Sequence, residues 1–408
     1  MKKLLIVLLS VLFVANLGYG QSNKVVSAFN YHRNGKLDKA KENIDAAIEN
    51  EKTMGDAKTW FYRGNIYIDI YRSDDENYKN LDPDALNKAY DSYKRAMELD
   101  EKDQYKLDIL QRMPIVGEAY FNDGANKYNK GMAAISDNDS TLAQSEFKQS
   151  MNSFQKAFDI YSEAGTIDTT TIYYISVAAE LAGEYDIAKE NLKRLIDMDY
   201  PEPSVYSSLA SIYYRQDKDV AKAEEYYALG RARFPEDLNL LLNETNVFLS
   251  EGKTEKALNN LTRAAEIDKT NPTIFFAIGA KYNEIADDTT KTKEVRNDAF
   301  VKAADAYKKS IELNPDYFDP NYNMGALYVN KAAAVIDVAN QLPLDAIDEY
   351  DKMKAEADNY LKECLPYLEK ANELQPGDVS TLASLKEIYT RLNMMEKLKE
   401  VNQKLSEL

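Results

Sequence analysis

Three kinds of residue recur along this chain at a spacing of about 34 residues, and such a chain folds by stacking copies of one small unit rather than around one central core. The clearest copy runs Trp60, Arg63-Gly64, Tyr67, then after an interruption Ala89, Tyr93, Ala96. A second runs Phe275, Ile278-Gly279, Tyr282, then Ala303, Tyr307, Ser310 and Pro315. A third, uninterrupted, runs Leu241, Glu244-Thr245, Phe248, Ala257, Leu261, Ala264. Extending the register gives a small residue at Ala28, Gly64, Gly117, Ser176, Ala210, Thr245, Gly279 and Gly325, with Lys386 the exception. Three residues on stands an aromatic, at Tyr31, Tyr67, Tyr120, Tyr213, Phe248, Tyr282, Tyr328 and Tyr389, with Ala179 the exception. The second half of each copy opens on Ala40, Ala89, Ser150, Ala188, Ala223, Ala257, Ala303, Cys364 or Leu398. Spacings of three and four put these residues on one helix face. Two antiparallel helices in close contact need a small residue where their backbones approach, and an aromatic beside it fills the groove toward the next pair.

The order of bulky, small and aromatic residues, then small, bulky and small with a terminal Pro, resembles the tetratricopeptide repeat over essentially all of residues 21–408. The resemblance implies an all-α, right-handed superhelical solenoid of about nine helical hairpins, starting near residues 21, 57, 110, 169, 203, 238, 272, 318 and 379. The last copy, with Lys386, Leu398 and Asn402, suits a polar end cap. Four copies carry insertions between their halves. Two of these keep helical apolar spacing, through Phe121, Ala125, Tyr128, Met132 and Ile135 and through Ile347, Tyr350, Met353, Ala357 and Leu361. They are expected to be lengthened hairpins, turning at 136–140 and near Gln341-Leu342-Pro343, the second with a helix from Leu344 to Leu374 kinked at Pro366. The insertions 72–81 and 287–296 are polar and expected to be loops. Asp82-Pro83, Asn271-Pro272 and Asp319-Pro320 are expected to mark helix starts, as a cap followed by Pro.

Residues 1–20 stand apart from the repeat. Lys2-Lys3 precede an apolar run from Leu4 to Leu17 and the small residues Gly18 and Gly20, the pattern of a secretory signal peptide cleaved before Gln21. The run is shorter than the ~20 residues of a spanning helix, so the mature chain is expected not to insert into membrane. Without a Cys near the cleavage point, lipid anchoring by the bacterial lipoprotein route is closed. Export is therefore expected, to the periplasm of a Gram-negative bacterium or beyond it by secretion.

Composition removes whole classes of function. One Cys excludes an intramolecular disulfide, and one His excludes paired-His metal sites. With 51 Lys and Arg against 68 Asp and Glu, nucleic acid is an unsuitable partner. Asp137-Asn138-Asp139-Ser140 starts like a calcium loop, but Leu142 stands where the turn glycine belongs and Lys148 where the closing Glu belongs. His32 is expected to be a solvated surface residue, and Cys364 a small packed one. No catalytic set, metal or cofactor is expected, and the chain is expected not to be an enzyme.

The resemblance implies a groove lined by the first helices of successive hairpins. At the position after the bulky slot stand Phe61, Tyr173, Phe276 and Tyr322; neighbouring groove positions hold Phe121 and Tyr214, with Asn65 and Asn246 offering amides. Aromatics carry much of the energy at protein interfaces, so these eight residues are the candidate surface for a protein or peptide partner. The opposing reading is that they pack against the next hairpin. Some family members grip a C-terminal carboxylate with paired Lys and Asn; here the Lys is lacking, its position holding apolar or aromatic residues in most copies. The function expected is a scaffold that binds partner proteins through the groove and the lengthened hairpins. The alternatives are a self-assembling envelope protein, which would make homo-oligomers, or a glycan- or peptidoglycan-associated accessory protein, since aromatic rings also stack on sugars.

Overall fold

The computed structural model describes residues 23–408, so the leader expected over residues 1–20 lies outside the described residues. The described chain is helical, with no strand. In order stand α1 (residues 23–33), α2 (Leu37–Ile48), α3 (Ala57–Tyr71), the short α4 (Glu76–Lys79), α5 (Ala85–Leu99), α6 (Lys106–Ser136), α7 (Ser140–Glu163), α8 (Thr169–Ala182), α9 (Tyr185–Asp197) and α10 (Ser204–Ile212). A π-helical segment, Tyr213–Asp217, follows. Then come α11 (Val220–Arg233), α12 (Leu238–Ser250), α13 (Thr254–Ile267), α14 (Pro272–Asp287), α15 (Lys293–Leu313), α16 (Phe318–Ala339), α17 (Ile347–Leu374), α18 (Val379–Arg391) and α19 (Met395–Glu407). These make nine successive helix pairs, arranged in two compact units, one ending at Gln216 and one beginning at Asp217. In sequence, α10 falls in the first unit and α11 in the second.

Sharp helix starts come from short acidic or amide side chains. Asp56, Asp168, Asp237, Asn271 and Asp378 each accept a backbone N–H of the first turn, capping α3, α8, α12, α14 and α18. Asn271-Pro272 is therefore a cap with Pro in the first turn, as its sequence suggests. The other two Asp-Pro pairs differ. Asp319 and Pro320 lie inside the first turn of α16, which begins at Phe318. Asp82-Pro83 forms the turn ahead of α5, Asp82 accepting the Asp84 N–H at 3.0 Å. Of the two polar insertions, 72–81 is irregular apart from α4, whereas half of 287–296 is absorbed into helix, leaving 288–292 between α14 and α15. The pair α14/α15 is thus a third lengthened hairpin. At the tip of α16/α17 the second helix starts at Ile347, three residues later than expected, and runs unbroken through Pro366.

In the first unit, α3 and α5 approach where Gly64 faces Tyr93. A Cβ on Gly64 would lie 2.5 Å from Tyr93 Cε1, so only glycine fits. Tyr93 is wholly buried and its hydroxyl donates to Asn65 Oδ1 at 2.7 Å. The lengthened hairpin α6/α7 turns at 137–139, as the sequence predicts, and repeats this contact three times. Gly117 faces Tyr161, Gly124 faces Phe154 and Gly131 faces Phe147, with glycines every seventh residue going up α6 and aromatics every seventh coming down α7. Seven residues are close to two turns, so the same faces stay in contact along the hairpin. The partner of Gly117 is Tyr161, which places the small residue opening that half of the repeat at Ala157, one heptad beyond Ser150; Ser150 plays the same part beside Phe154 and donates to the Gly124 carbonyl at 2.7 Å. The hairpin tip is no free arm. Phe147, Ala134 and Ala143 bury against Ala182 of α8, and Gln144 donates to the Ala182 carbonyl.

A polar network locks α2, α3 and α5. Arg63 bonds Asp45 and Ser92, Tyr67 donates to Asp45, and Asp82 accepts from Lys88 at 2.6 Å with Lys41 at 3.6 Å. Burial pushes the Asp82 carboxyl up, but the hydrogen bonds from Lys88 and the Asp84 N–H, with the charges of Lys88 and Lys41, outweigh it and hold the group below its ordinary value. A carboxyl depressed in the folded state adds stability above its unfolded pKa of about 3.9 and loses it as pH falls through the folded value. Asp82→Asn should therefore melt below the parent at pH 7, and the gap should close below about pH 4. Thermal melts at both pH values check this; a gap that persists unchanged at low pH would mean the effect is not ionic.

In the second unit, Gly279 of α14 meets the ring of Tyr307, and Gly325 of α16 meets Leu368 of α17. Tyr307 and Leu368 are wholly buried. The same small-against-bulky contact therefore closes hairpins in both units.

Candidate functional site

The position after the bulky slot is aromatic in four first helices, and in three of them the ring is braced from the segment leading into the next hairpin. Phe61 of α3 stacks on Tyr105, which precedes α6, with ring centroids 5.0 Å apart. Tyr173 of α8 stacks on Tyr200, ahead of α10, at 5.7 Å, and its hydroxyl lies 3.2 Å from Ser204 Oγ. Phe276 of α14 packs on Tyr317, ahead of α16, at 5.5 Å. Tyr322 of α16 is held differently, stacked on Phe318 one turn earlier at 5.9 Å.

Their exposure separates them. Phe61 is buried at 7% relative exposure, whereas Tyr173, Phe276 and Tyr322 are half-buried and keep part of the ring open. Phe121 is half-buried among Phe154 and Tyr174, edge-on to both. Tyr174 in turn touches Tyr173, so α6, α7 and α8 share one ring cluster in the first unit. Tyr214 lies half-buried in the π-helical segment. The two amides part company: Asn65 is buried and occupied by Tyr93, while Asn246 is exposed on α12. In the first unit the structure gathers Phe121 and Tyr173 into one cluster; in the second, Phe276 and Tyr322 stand on α14 and α16, separate first helices.

Tyr105, Tyr200 and Tyr317, the bracing residues, lie outside the repeat slots, and sequence reasoning missed them. The signal that would find them is an aromatic recurring a few residues after the second helix of a copy ends, at Leu99, Asp197 and Leu313. Burial pushes the hydroxyls of Tyr105, Tyr200 and Tyr317 above the ordinary tyrosine value. They stay neutral throughout the physiological range and act as flat apolar supports.

The reactive side chains are otherwise engaged. His32 is not freely solvated: its Nε2 lies 2.7 Å from Asp69 Oδ2 across α1 and α3, with 21% of its side chain exposed. Cys364 is wholly buried, its thiol donates to the Leu361 carbonyl, and burial pushes the thiol up to about 12. A thiol so protonated is a poor nucleophile. At the turn between α6 and α7, Asp139 caps α7 through the Leu142 N–H, and Asn138 adopts φ of 59°. No group of three or more potential metal-ligating side chains is found among the described residues, and none of the described helices is long and apolar enough to cross a membrane.

A fold of helix pairs closed by a small residue against a bulky one, repeated in register, defines a class of helical-repeat proteins. The family model of the TPR repeat matches residues 246–284, spanning the end of α12, α13 and most of α14. The same kind of hairpin recurs in both units, so the chain has an all-α helical-repeat fold of the tetratricopeptide type. No curated protein matches it. Among solved structures, it is similar to the C-terminal part of a TPR repeat-containing protein from Cytophaga hutchinsonii, at 14% identity over 68% of this chain and 93% of that one, TM-score 0.44. It is also similar to MamA (20% identity, 48% of this chain and 93% of that one, TM-score 0.32) and to YrrB, described as a TPR protein with an unusual peptide-binding site (18% identity, 48% and 89%, TM-score 0.32).

Proposed function

We propose that this protein is a non-enzymatic scaffold that holds a segment of a partner protein on the first-helix faces of its repeats. The observation that supports this best is the state of Tyr173, Phe276 and Tyr322: each is fixed by a second ring yet leaves part of its own ring uncovered. Rings already immobilised lose little side-chain entropy on binding, which makes them efficient anchors. Asn246, exposed on α12, offers an amide for a partner's backbone, and Phe121 and Tyr214 extend the aromatic surface of the first unit. Phe61 and Asn65 contribute by shaping the surface beneath.

The experiment is capture of partners by the parent chain beside a Tyr173→Ala/Phe276→Ala/Tyr322→Ala variant whose circular dichroism matches the parent. One protein held by the parent and lost by the variant supports the scaffold reading. Identical capture by both would refute it and turn attention to self-association, which sedimentation would reveal.

Export belongs to the same proposal. Lys2-Lys3, the apolar run Leu4 to Leu17 and the small residues before Gln21 support secretion, with the periplasm as destination. Cell fractionation with N-terminal sequencing tests it, and an intact Met1 on the cytoplasmic protein would reject it.

A further inference from the structure

In the second unit, a cavity of about 360 Å³ opens between the end of α14, the start of α15 and the middle of α16. Its polar lining is unevenly satisfied. Asp287 Oδ2 accepts from Asn283 at 2.8 Å and from Asn330 at 3.0 Å, so the cavity's carboxylate is matched with amides. Its two cations have no carboxylate within ion-pair distance among the described residues. Lys331 Nζ donates to Asn297 Oδ1 at 2.6 Å and lies 5.2 Å from the centroid of the Phe300 ring, while Arg296 Nε is buried without an acceptor.

A buried guanidinium nitrogen with no acceptor, beside a half-buried ammonium facing an amide and a ring, is a costly arrangement. The charged surroundings sharpen it. Burial holds the Lys331 ammonium below its ordinary value, the charges of Arg296 and Lys293 push it further down, and only Glu356 acts in the opposite sense. Asp337 also lines the cavity, from the exposed surface of α16. An entering anion would relieve both cations at once. Leu327, Ala333 and Ala334, with Phe300, supply apolar wall around them. The volume is at the lower end of the ~300–1,000 Å³ typical of small-molecule sites.

We propose that this cavity binds a small organic oxyanion, a carboxylate or phosphate monoester with an apolar body. Arg296 and Lys331 take the charge, and Phe300 and Leu327 take the body. Such a site gives the scaffold a small-molecule input independent of its aromatic surface.

The test uses the full chain and four probes: phenyl phosphate, benzoate, inorganic phosphate and phenol, followed by thermal melting and calorimetry against sodium chloride of equal ionic strength. Phenyl phosphate or benzoate should raise the melting temperature above the chloride control and bind about tenfold or more tightly than inorganic phosphate or phenol. Which of the two is tighter distinguishes a phosphate ester from a carboxylate. Arg296→Gln and Lys331→Met should each weaken that binding by about ten- to a hundredfold, the loss of one charge-assisted hydrogen bond. Without probe, Lys331→Met should melt no lower than the parent, because it sheds a half-buried charge that has no carboxylate within ion-pair distance. The proposal is overturned if no probe outperforms chloride, if both variants bind as the parent does, or if Lys331→Met is destabilised without probe, which would make Lys331 a structural residue.

Discussion

Tyr93→Ala will destabilise the first unit by about 3–5 kcal/mol, the usual range for emptying a fully buried aromatic site. Gly64→Ala will destabilise it by about 1–3 kcal/mol, because the new methyl must displace a ring packed on every side. Together they will cost less than the sum, since the methyl on residue 64 enters space that the missing ring has vacated. Urea unfolding of the parent, both single variants and the double variant, with hydrogen exchange read over α3 and α5, measures the coupling. Additivity within about 0.5 kcal/mol would show that the close approach of Gly64 to Tyr93 contributes nothing to the pairing of α3 with α5.

Phe61→Ala should be as damaging, at about 3–5 kcal/mol, although the residue occupies the same position in its helix as Tyr322. Phe61 is covered and lies against Tyr105 and Tyr93, so truncation opens a cavity between hairpins. Tyr322→Ala loses its stack on Phe318 and the packing of a half-buried ring against the core around Leu361 and Leu368, and should cost less, about 1–2 kcal/mol. Thermal melts of the two variants decide it. Equal, small losses would show that Phe61 is not a core residue and would return it to the binding surface. The partner-capture variant keeps Phe61 for this reason.

The repeat was legible because its slots are set by contact geometry. A glycine forced to face a tyrosine, as at 64 and 93 or 279 and 307, leaves a spacing that survives when everything around it changes. The number of hairpins and the turn between α6 and α7 follow from that spacing. What misled was degeneracy. In α6/α7 the contact recurs every seven residues, so Ser150 and Ala157 satisfy the same slot and only the fold shows which faces Gly117's level. Polarity misled too: 293–296 is rich in charge yet helical, because an exposed helical turn needs no apolar residue. At the candidate surface, the aromatic position could be identified from sequence, but its bracing could not. Tyr105, Tyr200 and Tyr317 lie between copies, where no slot constrains the alignment, and Asn65 is claimed by a hydroxyl 28 residues away.

The glycine and aromatic rows of α6 and α7 also make that hairpin adjustable in length. Because one rung looks like the next, excising residues 125–131 together with 147–153 would leave Gly124 opposite Phe154 and shorten the hairpin by about 10 Å, with only about 20° of rotation along each helix. Unmatched cuts would turn side chains off the seam. Matched seven-residue cuts would therefore reset how far this hairpin reaches along the neighbouring α8, between Tyr174 and Ala182, one rung at a time.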